Sequence, residues 1–193
     1  MIPDISKKAV RASVAADYVA SAEFHQGPAW EALTFGVDTG ASGGIFIISI
    51  VDPRHSLLIR YDTEEGAAMR DLFCSISERC RPGLVESLTG SEGALGSKSS
   101  LFKQGVNYGT ICERLSACGM PYRTITSAKW QQSMRMTPKA KGEDRKKALL
   151  DESRRVFPHI SHPQALADAL LIGALAFDVT TGTKTFSMMR GDL

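Results

Sequence analysis

The architecture of this chain turns on the stretch 33-LTFGVDTGASGGIFIISI-50. Leu33, Phe35 and Val37 alternate with Thr34 and Gly36, the period of a β-strand, and an apolar run resumes at Ile45 after a glycine-rich turn. Asp38 stands alone between them. Asp-Thr-Gly is ordinary turn chemistry, but a carboxylate set among apolar neighbours also pays for desolvation unless it protonates or meets a cation.

Outward from this hairpin, Ser56 to Tyr61 supplies a third β-rich run, which predicts three consecutive antiparallel strands. Met69, Leu72, Phe73, Ile76 and Cys80 then recur at helical spacing, and "GLVESL" at 83–88 reads as a buried fourth strand, completing a strand-helix-strand crossover. Thr89 to Lys103 is Gly/Ser-rich and reads as a loop. Tyr108, Ile111, Leu115 and Cys118 form a second helical stripe closed by Gly119, and "YRTITS" at 122–127 makes a fifth strand. Glu143 and Asp144 open a further helix and Arg154 and Arg155 close it before Pro158, as the helix dipole favours. A last helix begins near Pro163 and runs "PQALADALLIGALAF", apolar on nearly every face except at Asp168. The expected division is a helical extension over 1–30, an α/β domain over 31–178 and a polar, loosely held tail over 179–193.

At 193 residues, 43% apolar, 23% charged and +2 in net charge, the chain is expected to be one soluble domain with a real core. No apolar run approaches the roughly 20 residues of a membrane helix, so no membrane partner is expected. Cys74 and Cys80 share one predicted helix and Cys112 and Cys118 another, without zinc-site spacing, which predicts buried thiols and a reducing, intracellular compartment. The N-terminus has no signal core, although its basic, Ser/Ala-rich start leaves an organelle transit peptide open. Positive charge is concentrated between Lys129 and Arg155, where nine Lys or Arg face four acids. That is a solvated face or a phosphate-binding one.

Three acids stand out. Asp38 closes the first strand, Glu86 lies in the short apolar fourth strand, and Asp168 interrupts a helix that should be buried all round. Asp168 alone is open to a bland reading as a cap or a buried partner of Lys129 or an arginine. Together the three are hard oxygen ligands suited to Mg²⁺ or Mn²⁺, two ions per site about 4 Å apart serving an in-line phosphodiester displacement. On this reading Asp38 bridges the metals and the glycines let the hairpin turn without crowding a DNA backbone.

The order of strands and helices suits a ribonuclease H-like fold, a five-stranded mixed sheet flanked by helices with acids on its first and fourth strands and on a C-terminal helix. "FGVDTGASGG", "LVESLTGSEGALGSKSSLFKQGVNYGTICERLSACGMPY", "ITSAKWQQSM", "DRKKALLDESRRVFP" and "HPQALADALLIGALA" resemble the RuvC-type Holliday junction resolvases, most closely their bacteriophage and chloroplast branch. The resemblance spans roughly Thr34 to Phe177. It implies a homodimeric endonuclease that resolves four-way DNA junctions by paired symmetric nicks, with Asp38, Glu86 and Asp168 as metal-binding catalytic acids. The bacterial enzymes carry another Asp where this chain has Ala165, and the other branch tends to a His upstream of the helix acid. His162 is the candidate for that metal-binding and catalytic place, with His159 a weaker substitute and a plain helix-start histidine the alternative.

For DNA contact the resemblance implies Phe102, as a wedge into the junction, with Lys103, Lys129, Lys139, Lys141, Arg145, Lys146 and Lys147 on phosphates. The family favours Lys after the Trp, whereas here Lys129 precedes Trp130. Trp130 itself reads as core or as a DNA-stacking residue, and Phe102 equally as an anchor for the helix that follows it. The Tyr108–Cys118 stripe is placed by the resemblance at the dimer interface, or faces its own sheet. Rival functions are a broader flap or branched-DNA nuclease of the same fold, a non-catalytic junction-binding module suggested by Ala165, and an actin-like sugar kinase, for which the chain is too short.

Overall fold

Strands β1 (Leu33–Asp38), β2 (Gly44–Ser49) and β3 (Ser56–Arg60) form an antiparallel meander, and β4 (Gly83–Ser87) and β5 (Tyr122–Thr126) extend it in parallel, in the order β3-β2-β1-β4-β5. The computed structural model describes residues 7–40, 42–61, 63–88, 98–134 and 143–186. Around the sheet stand α1 (Ala12–Val19), α2 (Ala22–Gln26), α3 (Gly66–Ile76), α4 (Lys98–Ala117), α5 (Ser127–Ser133), α6 (Glu143–Val156) and α7 (Ala167–Thr181). All five predicted strands and the helices between them are present in the expected order.

Strand periodicity divides the interior into two cores. Leu33, Phe35, Val37, Ile45, Ile47, Leu57 and Ile59 face α1, α3 and α4, while Phe46, Ile48, Leu58 and Leu84 face α5, α6 and α7. The second set of positions on β1, Thr34 and Gly36, is therefore also buried. A Cβ on Gly36 would stand 2.1 Å from the backbone nitrogen of Gly173, and one on Gly173 would stand 2.5 Å from the Phe46 ring. Two glycines thus let α7 lie directly on β1. Asp38 shares this face of β1, so the same contact carries the start of α7, with Asp168, over the end of the strand.

Residues 7–10 run along the outer edge of the sheet. The Val10 N–H donates to the Leu58 carbonyl at 2.9 Å and the Arg60 N–H to the Val10 carbonyl at 2.9 Å, which satisfies backbone groups that an open edge would expose. Glu65 holds the start of α1, accepting from Ala12 N–H at 2.9 Å and Ser13 Oγ at 2.7 Å and pairing with Arg11 at 3.0 Å. Phe24 and Trp30, with ring centroids 5.0 Å apart, join the first core.

Several expectations are corrected. Helix α4 begins at Lys98, so Phe102 sits on a helix rather than in a loop; at 74% exposure it is no buried anchor. Ile111 and Leu115 are buried in the chain's own first core, with Tyr108, Cys112 and Cys118 packed against it, so the stripe meant for a dimer interface is occupied within the subunit. Of the four cysteines only Cys80 is buried; exposed Cys74 on α3 is disulfide-bonded to Cys118 just past α4, with Cα atoms 4.8 Å apart. That bond removes the support that buried thiols lent to a reducing compartment. Gln164–Thr181, 18 residues of mean hydropathy 1.3, is long and apolar enough to cross a membrane by length and composition. Here it is the central buried helix, shielded by the sheet and α6. Of the tail, the described residues run to Phe186, whose N–H donates to the Asp178 carboxylate at 3.2 Å and whose ring packs on Phe157 and Phe177. Lys139 and Lys141 lie outside the described residues.

The glycine contact generates a test. Gly36→Ala and Gly173→Ala should each lower unfolding stability by about 1–3 kcal/mol or more, the usual scale of overpacking, measured by urea denaturation. An exposed control, Gly105→Ala, whose Cβ would meet nothing within 4 Å, should not destabilise the chain.

Candidate active site

β1 and β4 run parallel with Gly36 beside Leu84 and Val37 beside Val85, and the next position on each strand is an acid, Asp38 and Glu86. Both lie on the face covered by α7, because Gly36 and Leu84 do. The charge of Glu86 acts on Asp38. Asp168, in the first turn of α7, completes the group electrostatically, acting on Asp38 and feeling the charge of Glu86.

The two strand acids are held in place. The Gly40 N–H donates to Asp38 Oδ1 at 2.8 Å, closing the turn that the sequence suggested. Thr39 Oγ1 donates to the backbone carbonyl of Glu86 at 3.0 Å, tying the hairpin to β4, and Asn107 Nδ2 of α4 donates to the Gly40 carbonyl at 3.3 Å. Gly43 completes the turn, since a Cβ there would lie 2.0 Å from the Asp38 carbonyl oxygen. Glu86 Oε1 accepts from Ser127 Oγ and, at 3.1 Å, from Trp130 Nε1. Trp130 is therefore core, as one reading of the sequence had it, and also a partner of the site, which its position in the sequence did not disclose.

A cleft of about 290 Å³ opens over Asp38 and Asp168, lined also by Ser42, Lys146, Leu149, Gln164 and Ala165; Glu86 does not line it. Lys146 is the expected basic residue that reaches the wall, and Arg145 and Lys146 both act electrostatically on Asp168. Lys103, Lys129 and Lys147 are exposed and do not line the cleft. Ala165 leaves the wall apolar at the place where the resemblance puts a further acid. His162 does not make up for it. Its ring is buried, with Nε2 bonded to Ser153 Oγ at 2.7 Å and Nδ1 to the Ile160 carbonyl at 2.9 Å, so both nitrogens serve the junction between α6 and α7. Burial pushes its pKa below the ordinary value. His159 is exposed and packs its ring near Phe157.

Burial, then the charges of Glu86 and Asp168, hold the Asp38 carboxyl well above the ordinary carboxylate range, against the opposing Gly40 N–H. Asp168 is pushed up to about 7 by burial and by Glu86, with Arg145 and Lys146 pulling the other way. Among the described residues, no three His, Cys, Asp or Glu side chains form a cluster that holds an ion as they stand. The donor set nonetheless fits a hard divalent cation: three carboxyl groups act on one another, burial disfavours the charged form of Asp38 and Asp168, and a hard cation would satisfy these oxygens.

The sign of the pH effect follows. An acid whose folded pKa is raised favours folding while it is neutral, and that contribution is lost as pH climbs from the unfolded value near 4 through about 7. The metal-free protein should therefore melt at a lower temperature at pH 8 than at pH 5. Asp168→Asn should remove most of this difference, raising Tm at pH 8 by roughly 2–4 °C for each kcal/mol of repulsion relieved. Added Mg²⁺ should recover the wild-type loss at pH 8 through binding to the folded state. A Tm independent of pH over this range would show that the acids do not repel one another.

No protein-family profile and no curated protein sequence matches the chain. Among solved structures it is similar to Thermus thermophilus RuvC in complex with a Holliday junction substrate, at 17% identity and a TM-score of 0.53, covering 79% of this chain and 97% of that one. It is equally similar to another Thermus thermophilus RuvC structure, at 17% identity and a TM-score of 0.53, covering 78% and 97%. The five-stranded mixed sheet with its flanking helices is thus a RuvC-like fold, ribonuclease H-like in its arrangement.

Proposed function

We propose that the protein is a metal-dependent, structure-selective endodeoxyribonuclease that resolves four-way DNA junctions by paired nicks. The observation that carries this reading is the meeting of Asp38, Glu86 and Asp168 at one end of the parallel strands, with Asp38 and Asp168 lining a cleft that has Lys146 on its wall. The RuvC-like fold supports it, and one of the similar structures holds a Holliday junction. In this reading Asp38, Glu86 and Asp168 would hold Mg²⁺ or Mn²⁺, which when bound neutralises phosphate charge and renders water nucleophilic at neutral pH.

The chain's own residues do the rest. Lys146 and Arg145 draw a phosphate toward the acids and offset part of their mutual repulsion. Lys147, Lys129 and Lys103 are exposed and available to the flanking backbone. Phe102, exposed on α4 one turn before exposed Val106, is free to insert between base pairs at a branch point. Asn107 of the same helix bonds the Gly40 carbonyl, so a branch seated on α4 sits in register with the hairpin that carries Asp38. A junction offers two equivalent strands, and a homodimer presents one such cleft to each. With the Ile111/Leu115 stripe occupied internally, the pairing surface has to be another face.

Cleavage of a mobile four-way junction, a flap and a duplex, assayed in parallel with Mg²⁺ and then Mn²⁺, tests the function. Junction resolution is expected, and Asp38→Asn, Glu86→Gln and Asp168→Asn should each abolish it while junction binding persists or tightens. Full cleavage by Asp168→Asn would overturn the assignment. Preferential cutting of flaps would favour the broader nuclease, and binding without cleavage a non-catalytic module. In the same assay, replacing Lys146 and Lys147 by Ala should weaken binding to every junction alike. The slope of log affinity against log salt should flatten by roughly 0.9 for each phosphate that is no longer neutralised. Phe102→Ala should harm junction cleavage more than flap cleavage.

A further inference from the structure

We infer that Ser127 and Trp130 are positioning residues for the acid cluster: they clamp one oxygen of Glu86 so that the other is presented to a bound cation. This rests on the reading that Asp38, Glu86 and Asp168 hold a divalent cation. Both donors take the same atom, Oε1, Ser127 through its hydroxyl and Trp130 through its indole N–H at 3.1 Å. Oε2 lies outside this clamp. The two donors are three residues apart on α5 and so share a helical face.

Their placement follows from the sheet. Glu86 is paired with Ile125 and Ser87 with Thr126 in the parallel β4/β5 register. Thr126 then caps α5, its hydroxyl accepting the Lys129 N–H at 3.3 Å. The helix therefore starts beside the carboxylate it serves. Trp130 is fully buried in the second core, where its N–H needs an acceptor, and a packing role alone would be met by any backbone carbonyl. Here the acceptor is a carboxylate of the site. A side chain already fixed by two hydrogen bonds has less rotamer freedom to lose when a cation arrives, which is how pre-organisation raises affinity.

The test is Mn²⁺ binding to the whole chain without DNA, followed by titration calorimetry. Trp130→Phe, which keeps the ring in the core but removes the N–H, should weaken Mn²⁺ binding about three- to tenfold, as should Ser127→Ala. Ser127→Thr, which restores a hydroxyl, should return the affinity to within about twofold of wild type. Trp30→Phe removes an equally buried indole from the opposite core; it should leave the affinity unchanged. That variant retains Trp130 as the remaining one of two tryptophans, and its emission should shift when Mg²⁺ is added. Should Trp130→Phe fail to fold, the Ser127→Ala and Ser127→Thr pair gives the same answer. Wild-type affinity in Trp130→Phe and Ser127→Ala, with Trp130 emission unmoved by Mg²⁺, would overturn the clamp. Equal Mn²⁺ binding by wild type and Asp38→Asn, or none by either, would overturn the metal site itself and the clamp with it.

Discussion

The contact of Gly36 with Gly173 sets the geometry of most of the molecule. Backbone meets backbone there, and a single methyl group on either residue would have to occupy space already filled by the other helix or strand, or by Phe46. Because the helix lies this close, its apolar surface is buried on nearly every side, from Ala167 to Phe177. Asp168 is consequently delivered to the end of β1 in the first turn of that helix, five residues before the glycine that sets its depth. Had α7 been held away by an ordinary side-chain layer, the helix acid would stand apart from the strand acids.

The acid group so formed is costly to the fold when it is ionised. Burial and like charge raise Asp38 and Asp168 above the ordinary carboxylate range. Natural chains keep such arrangements where a site needs them. The surrounding hydrogen bonds tie down the two strand acids: the Gly40 N–H on Asp38, Ser127 and Trp130 on Glu86, and the Thr39 hydroxyl on the strand that carries Glu86. Rigidity comes from several elements that are distant in sequence, which is why no single motif announces it.

Outside the site, the N-terminal segment acts as a structural closure. Residues 7–10 cover the β3 edge, Glu65 anchors α1, and Phe24 and Trp30 enter the first core. These contacts leave α5 and α6 to cover the other face of the sheet beside α7, where Lys129, Arg145, Lys146 and Lys147 lie.

The order of strands and helices is legible in the residues alone, because period-two and helical spacings are local properties of neighbours along the chain. So are Asp38, Glu86 and Asp168, because a carboxylate among apolar residues is conspicuous at any range. What was not legible depended on partners far along the chain. Whether His162 reaches the acids was settled by Ser153 and the Ile160 carbonyl, which take both ring nitrogens. Whether the α4 stripe faces a second subunit was settled by the first core, which covers Ile111 and Leu115. That Cys74 meets Cys118 followed from the packing of α3 on α4. Trp130 shows the division most clearly: its apolar bulk predicted burial, but only the β4/β5 register, by starting α5 beside Glu86, gave its N–H a carboxylate to hold.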